Sequence, residues 1–91
     1  MDFEWDEDKR LANVRKHGID FVDAITIFDG DTVTLEDDRF GYDEIRLVTL
    51  GSYEGRVIVV VHTEREGIIR IISARKATKN ETNNYFKQVA E

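Results

Sequence analysis

Residues 56–75, RVIVVVHTEREGIIRIISAR, constrain the fold more than any other part of the chain, because they hold two dense runs of β-branched residues around a turn. The first run is residues 57–61 and the second is residues 68–72, with Glu66-Gly67 between them. This pattern predicts a central β-hairpin. Charged or polar side chains on such strands must be paired or must face a cleft, since an isolated buried charge is strongly unfavourable.

The register of this hairpin is left open by the sequence. With a three-residue turn, His62 stands opposite Arg70, and Glu64 shares their face of the sheet. With a two-residue turn, Thr63 stands opposite Arg70, and His62 points to the other face. We favour the three-residue turn, because it gathers a base, an acid and an arginine on one surface.

The rest of the chain predicts one α+β domain over residues 1–91. Asp6 caps a helix that ends at His17 before Gly18, and Asp20 caps a second short helix. A capping box from Thr78 to Glu81 opens a C-terminal helix. Residues 3–5 predict a short edge strand, residues 32–35 and 45–51 predict further strands, and residues 36–44 predict a surface loop. We therefore expect an antiparallel sheet of about four strands, with the helices on one face and the other face partly open.

Apolar spacing predicts which side of each helix is buried. In the first helix Leu11 and Val14 mark the buried side. The C-terminal helix has Tyr85, Phe86 and Val89 on its inner side. The second helix carries an apolar stripe of Phe21, Ala24, Ile25 and Phe28, and the exposed face of the first carries Lys9, Asn13 and Lys16.

The composition excludes several classes of protein. There is no cysteine, which excludes disulfides and cysteine-based zinc sites, and no apolar run approaches the roughly 20 residues that a membrane span needs. We expect a soluble cytoplasmic protein. The net charge is −6, but residues 1–45 carry 14 acidic and 5 basic side chains, whereas residues 46–91 carry 5 and 8. This uneven distribution of charge would suit a molecule that binds phosphates on one face and a basic protein on another. Ordinary solvated surface also explains it.

Several segments in this order closely resemble the BrnT toxins of bacterial type II toxin-antitoxin modules. They are Trp5-Asp6, Lys16-His17-Gly18, His62-Thr63-Glu64 and residues 70–75, RIISAR. The resemblance covers nearly the whole chain. It implies a RelE-like fold, a ribonuclease without metal or cofactor that inhibits translation, and a BrnA-type antitoxin that forms a hetero-oligomer with the toxin and alone contacts DNA.

Cleavage of RNA by its own 2′-hydroxyl needs a base, cations near the phosphate and an acid for the leaving oxygen. Arginine suits the phosphate because its guanidinium binds two oxygens at once, and histidine suits proton transfer near neutral pH. The candidate catalytic residues are His62, Glu64, Arg70 and Arg75, and the candidate RNA-binding residues are Lys16, His17, Lys76 and Lys79.

Several candidates also have a structural explanation, and Arg75, which ends its strand next to Lys76, is the hardest to explain in this way. His62 in an apolar strand is typical of a hydrogen-bonded core histidine, His17 suits a helix C-terminus, and Glu64 with Arg70 can form a plain cross-strand ion pair. Asp29-Gly30-Asp31 predicts a turn, because the later ligands of a calcium loop are missing. The alternative function is a non-catalytic interaction domain that binds a protein through its acidic surface, including Glu36-Asp37-Asp38.

Overall fold

The computed structural model describes residues 1–37 and 45–90, so most of the surface loop expected at residues 36–44 lies outside the described residues. Glu36 and Asp37, the first residues of that predicted loop, belong instead to a strand. The elements in chain order are β1 (Asp2–Trp5), α1 (Glu7–His17), α2 (Phe21–Ala24), a 3-10 helix (Ile25–Asp29), β2 (Thr32–Asp37), β3 (Arg46–Tyr53), β4 (Arg56–Arg65), β5 (Ile68–Lys76) and α3 (Lys79–Val89).

The strands form one five-stranded sheet in the order β1-β5-β4-β3-β2. The α+β class is confirmed, but the sheet as a whole is mixed and has five strands, where we expected an antiparallel sheet of about four. Strands β2 to β5 form an antiparallel meander, whereas β1 pairs in parallel with β5 at the edge. The helices between β1 and β2 carry the chain from one edge of the sheet to the other before the meander begins.

Both turns of the central meander contain two residues. Glu54-Gly55 joins β3 to β4 and Glu66-Gly67 joins β4 to β5, and all four residues have positive φ. This backbone matches the right-handed twist of the flanking strands, which is why two-residue turns of this kind are common in hairpins. The favoured three-residue turn is therefore wrong.

The two-residue turn sets the register of β4 against β5. Thr63 pairs with Arg70, while His62 pairs with Ile71. The register then shifts by one residue, because Val61 pairs with Ser73 and leaves Ile72 without a partner. This bulge turns Ile71 and Ala74 to the same face, although an undisturbed strand would place them on opposite faces.

The two faces of the sheet bury separate clusters. The cluster under α1 and α2 includes Phe21 and Ile27 from the helices and Ile58, Val60 and Ile71 from the sheet. The cluster under α3 consists of Leu50, Val57, Val59 and Tyr85, with Val33, Val48, Ala77 and Val89 at its margin. Each fully buried aliphatic side chain contributes about 1.5 to 3 kcal/mol. Helices thus lie on both faces, not on one as we expected.

Gly51 on β3 allows the 3-10 helix to lie close to the sheet. A Cβ atom at Gly51 would lie 2.6 Å from the Cβ of Ile27, which is too close for two carbon atoms. Because Ile27 is a branched residue in the buried cluster, it has little room to move away. The glycine is therefore required by packing.

Helix α1 buries a side different from the predicted one. Leu11 and Val14 are exposed, whereas Asn13, expected on the solvent side, is only 6 % exposed. Its amide nitrogen donates to the carbonyl oxygens of Ile19 and Ala74, and its oxygen accepts from the Ala74 N–H. Asn13 thus supplies hydrogen-bond partners to the backbone of β5 beyond the residues that pair with β1. A buried backbone group needs such a partner.

The predicted helix ends are confirmed. Asp6 accepts hydrogen bonds from the N–H groups of Asp8 and Lys9, and Gly18 closes α1 with a left-handed backbone. Asp20 caps α2, but that helix ends at Ala24 and continues as the 3-10 helix. In α3 the predicted inner side is only partly right, since Tyr85 is buried and Phe86 is 53 % exposed. Within the described residues, no helix has the length and apolar character needed to cross a membrane.

Candidate active site

Part of the α3 face of the sheet forms a cleft near the turn between β4 and β5. Side chains alternate between the faces of a strand, so Thr63 and Arg65 on β4 share this face with Arg70 on β5 and Glu4 on β1. We call this depression of about 540 Å³ the hairpin cleft. Its lining residues are Glu4, Ile45, Thr63, Glu64, Arg65, Glu66, Ile68 and Arg70.

Arg70 and Glu4 form an ion pair in the hairpin cleft. The Nη1 atom of Arg70 donates to Oε2 of Glu4 at 2.6 Å, and the two side chains are 49 % and 46 % exposed. The parallel register pairs Glu4 directly with Arg70. We missed Glu4 in the sequence, although the apolar neighbours Phe3 and Trp5 indicate that its side chain points to the opposite face of β1.

Glu64 also lines the hairpin cleft, but it comes from the other side of the sheet. It pairs with Ile69, which belongs to the cluster under α1 and α2. Glu64 is exposed and therefore lies at the rim of the cleft. The structure thus places Glu64 and Arg70 in one cleft but on opposite faces of the sheet. The favoured register had required them to share one face.

His62 is not part of the hairpin cleft. Its side chain points to the α1 and α2 face, is 1 % exposed and meets the ring of Phe28 edge to face at 5.2 Å between centroids. Nε2 lies 2.7 Å from Oγ1 of Thr49, which in turn contacts Oγ1 of Thr34 at 2.8 Å. The expectation that His62 lies opposite Arg70 is therefore wrong.

Burial also makes the His62 imidazole harder to protonate. Loss of solvent lowers the pKa of His62 below its ordinary value of 6.5, and the nearby negative charge of Glu64 partly opposes this effect. Nδ1 is buried and has no hydrogen-bond partner among the described residues. These features match the structural explanation, in which His62 is a core histidine.

Arg75 lies on the same sheet face as Arg70 but binds α3. Its Nη1 and Nη2 atoms donate to the two carboxylate oxygens of Glu81 at 2.8 and 2.9 Å. This guanidinium, together with the N–H of Thr78, lowers the pKa of the Glu81 carboxyl to about 2. Arg75 is five residues from Arg70, which corresponds to roughly 15 Å along the strand. The two predicted catalytic arginines therefore do not share a cleft.

The predicted RNA-binding residues lie at two places, the junction of β5 with α3 and the end of α1. Lys76 and Lys79 are exposed where β5 ends and α3 begins. Lys16 and His17 end α1, within about one turn of Asn13, whose amide binds the backbone of Ala74. None of these four residues lines the hairpin cleft.

The family model of the ribonuclease toxin BrnT of type II toxin-antitoxin systems matches residues 5–81. The chain belongs to the BrnT family. Membership implies a ribonuclease toxin with an antitoxin partner. No curated protein sequence matches the chain. The matched segment includes Arg70, Arg75 and Glu81, whereas Glu4 lies one residue outside it.

For a BrnT ribonuclease, the hairpin cleft offers the groups that phosphate chemistry needs. Two arginines and three glutamates line it, so cations and proton acceptors lie side by side. The described residues contain no group of three or more His, Cys, Asp or Glu side chains that could hold a metal ion.

Proposed function

We propose that this chain is a metal-independent endoribonuclease that cleaves RNA in the bacterial cytoplasm, inhibits translation and is neutralised by a BrnA-type antitoxin. We also expect its fold to be similar to that of RelE. The observation that carries the proposal is Arg70, a half-exposed guanidinium held on a rigid strand in the hairpin cleft. The family supports the general activity, and the hairpin cleft is our candidate for its location.

Arg70 is our candidate for the residue that binds the reacting phosphate. Its ion pair with Glu4 uses Nη1, and a guanidinium has five N–H donors in a planar fork. The remaining donors can bind phosphate oxygens, whose negative charge increases as the 2′-oxygen attacks. Pairing with Glu4 also reduces the conformational freedom that Arg70 would lose on binding RNA.

The other predicted residues have secondary roles in this proposal. Glu64 at the rim of the hairpin cleft remains a candidate for proton exchange. Lys16, Lys76 and Lys79 would bind the RNA backbone beyond the cleft, since exposed cations give affinity for phosphates without sequence preference. His17, next to Lys16, would add a ring N–H donor. Arg75 would add positive charge there while it holds Glu81.

The antitoxin would be a basic protein that docks on the acidic part of the chain. Residues 1–45 have a net charge of −9, from 14 acidic and 5 basic side chains, and opposite charges speed the association of two proteins. The complex would be a hetero-oligomer that contacts DNA through the antitoxin alone.

Expression of the chain without an antitoxin, followed by cleavage assays with the purified protein, tests this proposal. We expect growth arrest, and cleavage of single-stranded RNA that persists in the presence of EDTA. A substrate with 2′-deoxyribose at the cleaved position should resist cleavage, because the attacking hydroxyl is missing. A folded protein that neither arrests growth nor cleaves RNA would instead be the non-catalytic interaction domain, and inhibition by EDTA would contradict metal independence.

A further inference from the structure

We propose that Glu4 is the general base of the ribonuclease reaction, and that it accepts the proton of the attacking 2′-hydroxyl while Arg70 binds the adjacent phosphate. This inference rests on the proposed function. The 2′-hydroxyl of RNA is next to the phosphate that it attacks, so the base and the phosphate-binding cation must be neighbours. Glu4 and Arg70 are neighbours, with 2.6 Å between Oε2 and Nη1.

The position of Glu4 distinguishes it from the other carboxylates of the hairpin cleft. Glu4 shares the sheet face of Arg70, because the two residues pair across β1 and β5. Glu64 belongs to the opposite face by its pairing with Ile69, and Glu66 lies in the turn. In the described part of the cleft, Glu4 is therefore the only carboxylate that accepts a hydrogen bond from the Arg70 guanidinium.

The ion pair leaves one carboxylate oxygen of Glu4 available to accept a proton. Arg70 contacts Oε2, and among the described residues Oε1 has no hydrogen-bond partner. With 46 % of its side chain exposed, the carboxylate is open to a bound ribose. His62, the expected proton carrier, is buried on the other face, so the cleft needs a different base.

The reaction step balances without a metal or cofactor. The 2′-hydroxyl gives its proton to Oε1 of Glu4, and the 2′-oxygen uses the released electron pair to form a bond to phosphorus. The bond from phosphorus to the 5′-oxygen breaks, and that oxygen takes a proton from water. The products are a 2′,3′-cyclic phosphate and a 5′-hydroxyl, and Glu4 then returns its proton to solvent.

Glu4→Gln tests the assignment, because glutamine keeps the shape and a hydrogen bond to Arg70 but cannot accept a proton as a base. With a single-stranded RNA that the wild type cleaves, we expect the single-turnover rate at saturating RNA to fall about 10² to 10⁴-fold. The Kd for RNA should change by less than about threefold, and the rise of rate with pH should disappear. Glu4→Asp should restore part of the rate.

Asp2→Asn is the matched control, since Asp2 is on the same strand and the same side, and it lies outside the hairpin cleft. This variant removes one negative charge and should cleave at the wild-type rate. Wild-type cleavage by Glu4→Gln would overturn the inference and leave the proposed function intact. So would a variant whose Kd rises while its saturated rate and pH profile stay unchanged, because Glu4 would then only position Arg70. If the wild type itself does not cleave RNA, the proposed function fails and the inference with it.

Discussion

At the scale of single residues, buried polar side chains help to fix how the helices and strands pack together. Asn13, Thr49 and His62 are the buried polar residues of the described chain, and each makes at least one hydrogen bond. Asn13 joins α1 to the edge of β5. Thr49 and His62 join β3 to β4. A buried polar group without its partner typically costs about 1 to 3 kcal/mol, so these contacts favour one packing arrangement over others.

The first prediction concerns His62. We expect His62→Gln to lower the free energy of unfolding by about 1 to 3 kcal/mol, because glutamine fits the cavity and the Thr49 hydroxyl less well. The specific activity of the folded fraction should not change. Chemical denaturation and cleavage assays on the same preparation measure both quantities. Full stability with lost cleavage would show instead that His62 acts in the reaction.

The pH dependence of stability gives a second measurement on His62. Because burial lowers the pKa of His62 below 6.5, the unfolded chain binds a proton more readily than the folded chain. The stability linked to His62 is therefore complete above pH 6.5 and is lost as the pH falls through the lower, folded pKa. Denaturation at several pH values should show this slope in the wild type and a weaker slope in His62→Gln.

The second prediction concerns Arg70. Arg70→Ala should abolish growth arrest and reduce RNA cleavage by the equivalent of about 3 to 4 kcal/mol, which is the usual effect of removing a preorganised donor to a developing anion. Its half-exposed ion pair with Glu4 contributes little to folding, so the thermal unfolding temperature should hardly change. Arg65→Ala removes a charge from the same hairpin and should reduce cleavage less. Undiminished cleavage by folded Arg70→Ala would contradict our proposal.

At the scale of secondary structure elements, α3 is fixed to the sheet at its first turn. Thr78 and Glu81 form the capping box, and Arg75 from β5 binds both oxygens of the Glu81 carboxylate. One glutamate therefore caps the helix and joins it to the neighbouring strand. Tyr85, one turn later, is buried against Leu50, Val57 and Val59, and its hydroxyl donates to the carbonyl oxygen of Asp31. The first turn of α3 should be its most stable part.

The third prediction is that the ion pair between Arg75 and Glu81 is lost in acid. The pKa of Glu81 is lowered from 4.5 to about 2 in the folded protein, so its contribution is present above pH 4.5 and is lost as the pH falls toward 2. Since the pair is partly exposed, we expect a contribution of about 1 kcal/mol, the upper end of the range for such pairs. Denaturation between pH 2 and 6 should show a smaller loss in Glu81→Gln than in the wild type.

Arg75→Leu provides the control for the attachment. It removes the main cause of the lowered pKa, so the loss of stability between pH 4.5 and 2 should be much smaller in this variant. The double variant should lose little more stability than either single variant, because both substitutions break one interaction. Additive losses would mean that the two residues stabilise the fold independently.

At the scale of the whole molecule, the sheet separates two surfaces. Helices α1 and α2 cover one face, while α3 covers one end of the other and leaves the hairpin cleft at the opposite end. The charge is also divided along the chain, with −9 over residues 1–45 and +3 over residues 46–91. A ribonuclease with an antitoxin must bind an anionic substrate and a protein, and this division allows both.

The fourth prediction tests whether the acidic residues 36–38 help the chain to bind an antitoxin. Neutralising Glu36, Asp37 and Asp38 together should slow association with a basic antitoxin, and more strongly at low salt than at high salt. Stopped-flow measurements at two ionic strengths give the rates, and the dissociation rate should change less than the association rate. Equal association rates at low salt would mean that these acids serve solubility alone.

Local chemistry explains why much of the fold was predictable. Asp6 and Gly18 bound α1, and Thr78 with Glu81 begins α3, because each acts on backbone groups within a few residues of itself. The β-branched runs around Glu66-Gly67 likewise predicted the central hairpin. The sequence alone also identified the BrnT family and the α+β class, because these depend on residue order and type. It proposed both Arg70 and Arg75 as phosphate-binding residues, and that assignment stays a prediction.

Only the tertiary structure decided which residues meet in the hairpin cleft. The turn length placed Thr63, not His62, opposite Arg70, and a shift of one residue moves every side chain to the other face. The parallel addition of β1 brought Glu4 to Arg70 across 66 positions of sequence. Asn13 lies on the buried side of α1 because the backbone at the open edge of β5 needs its hydrogen bonds. Such contacts join distant parts of the chain, and their energies depend on the packing of the whole sheet, which no local pattern contains.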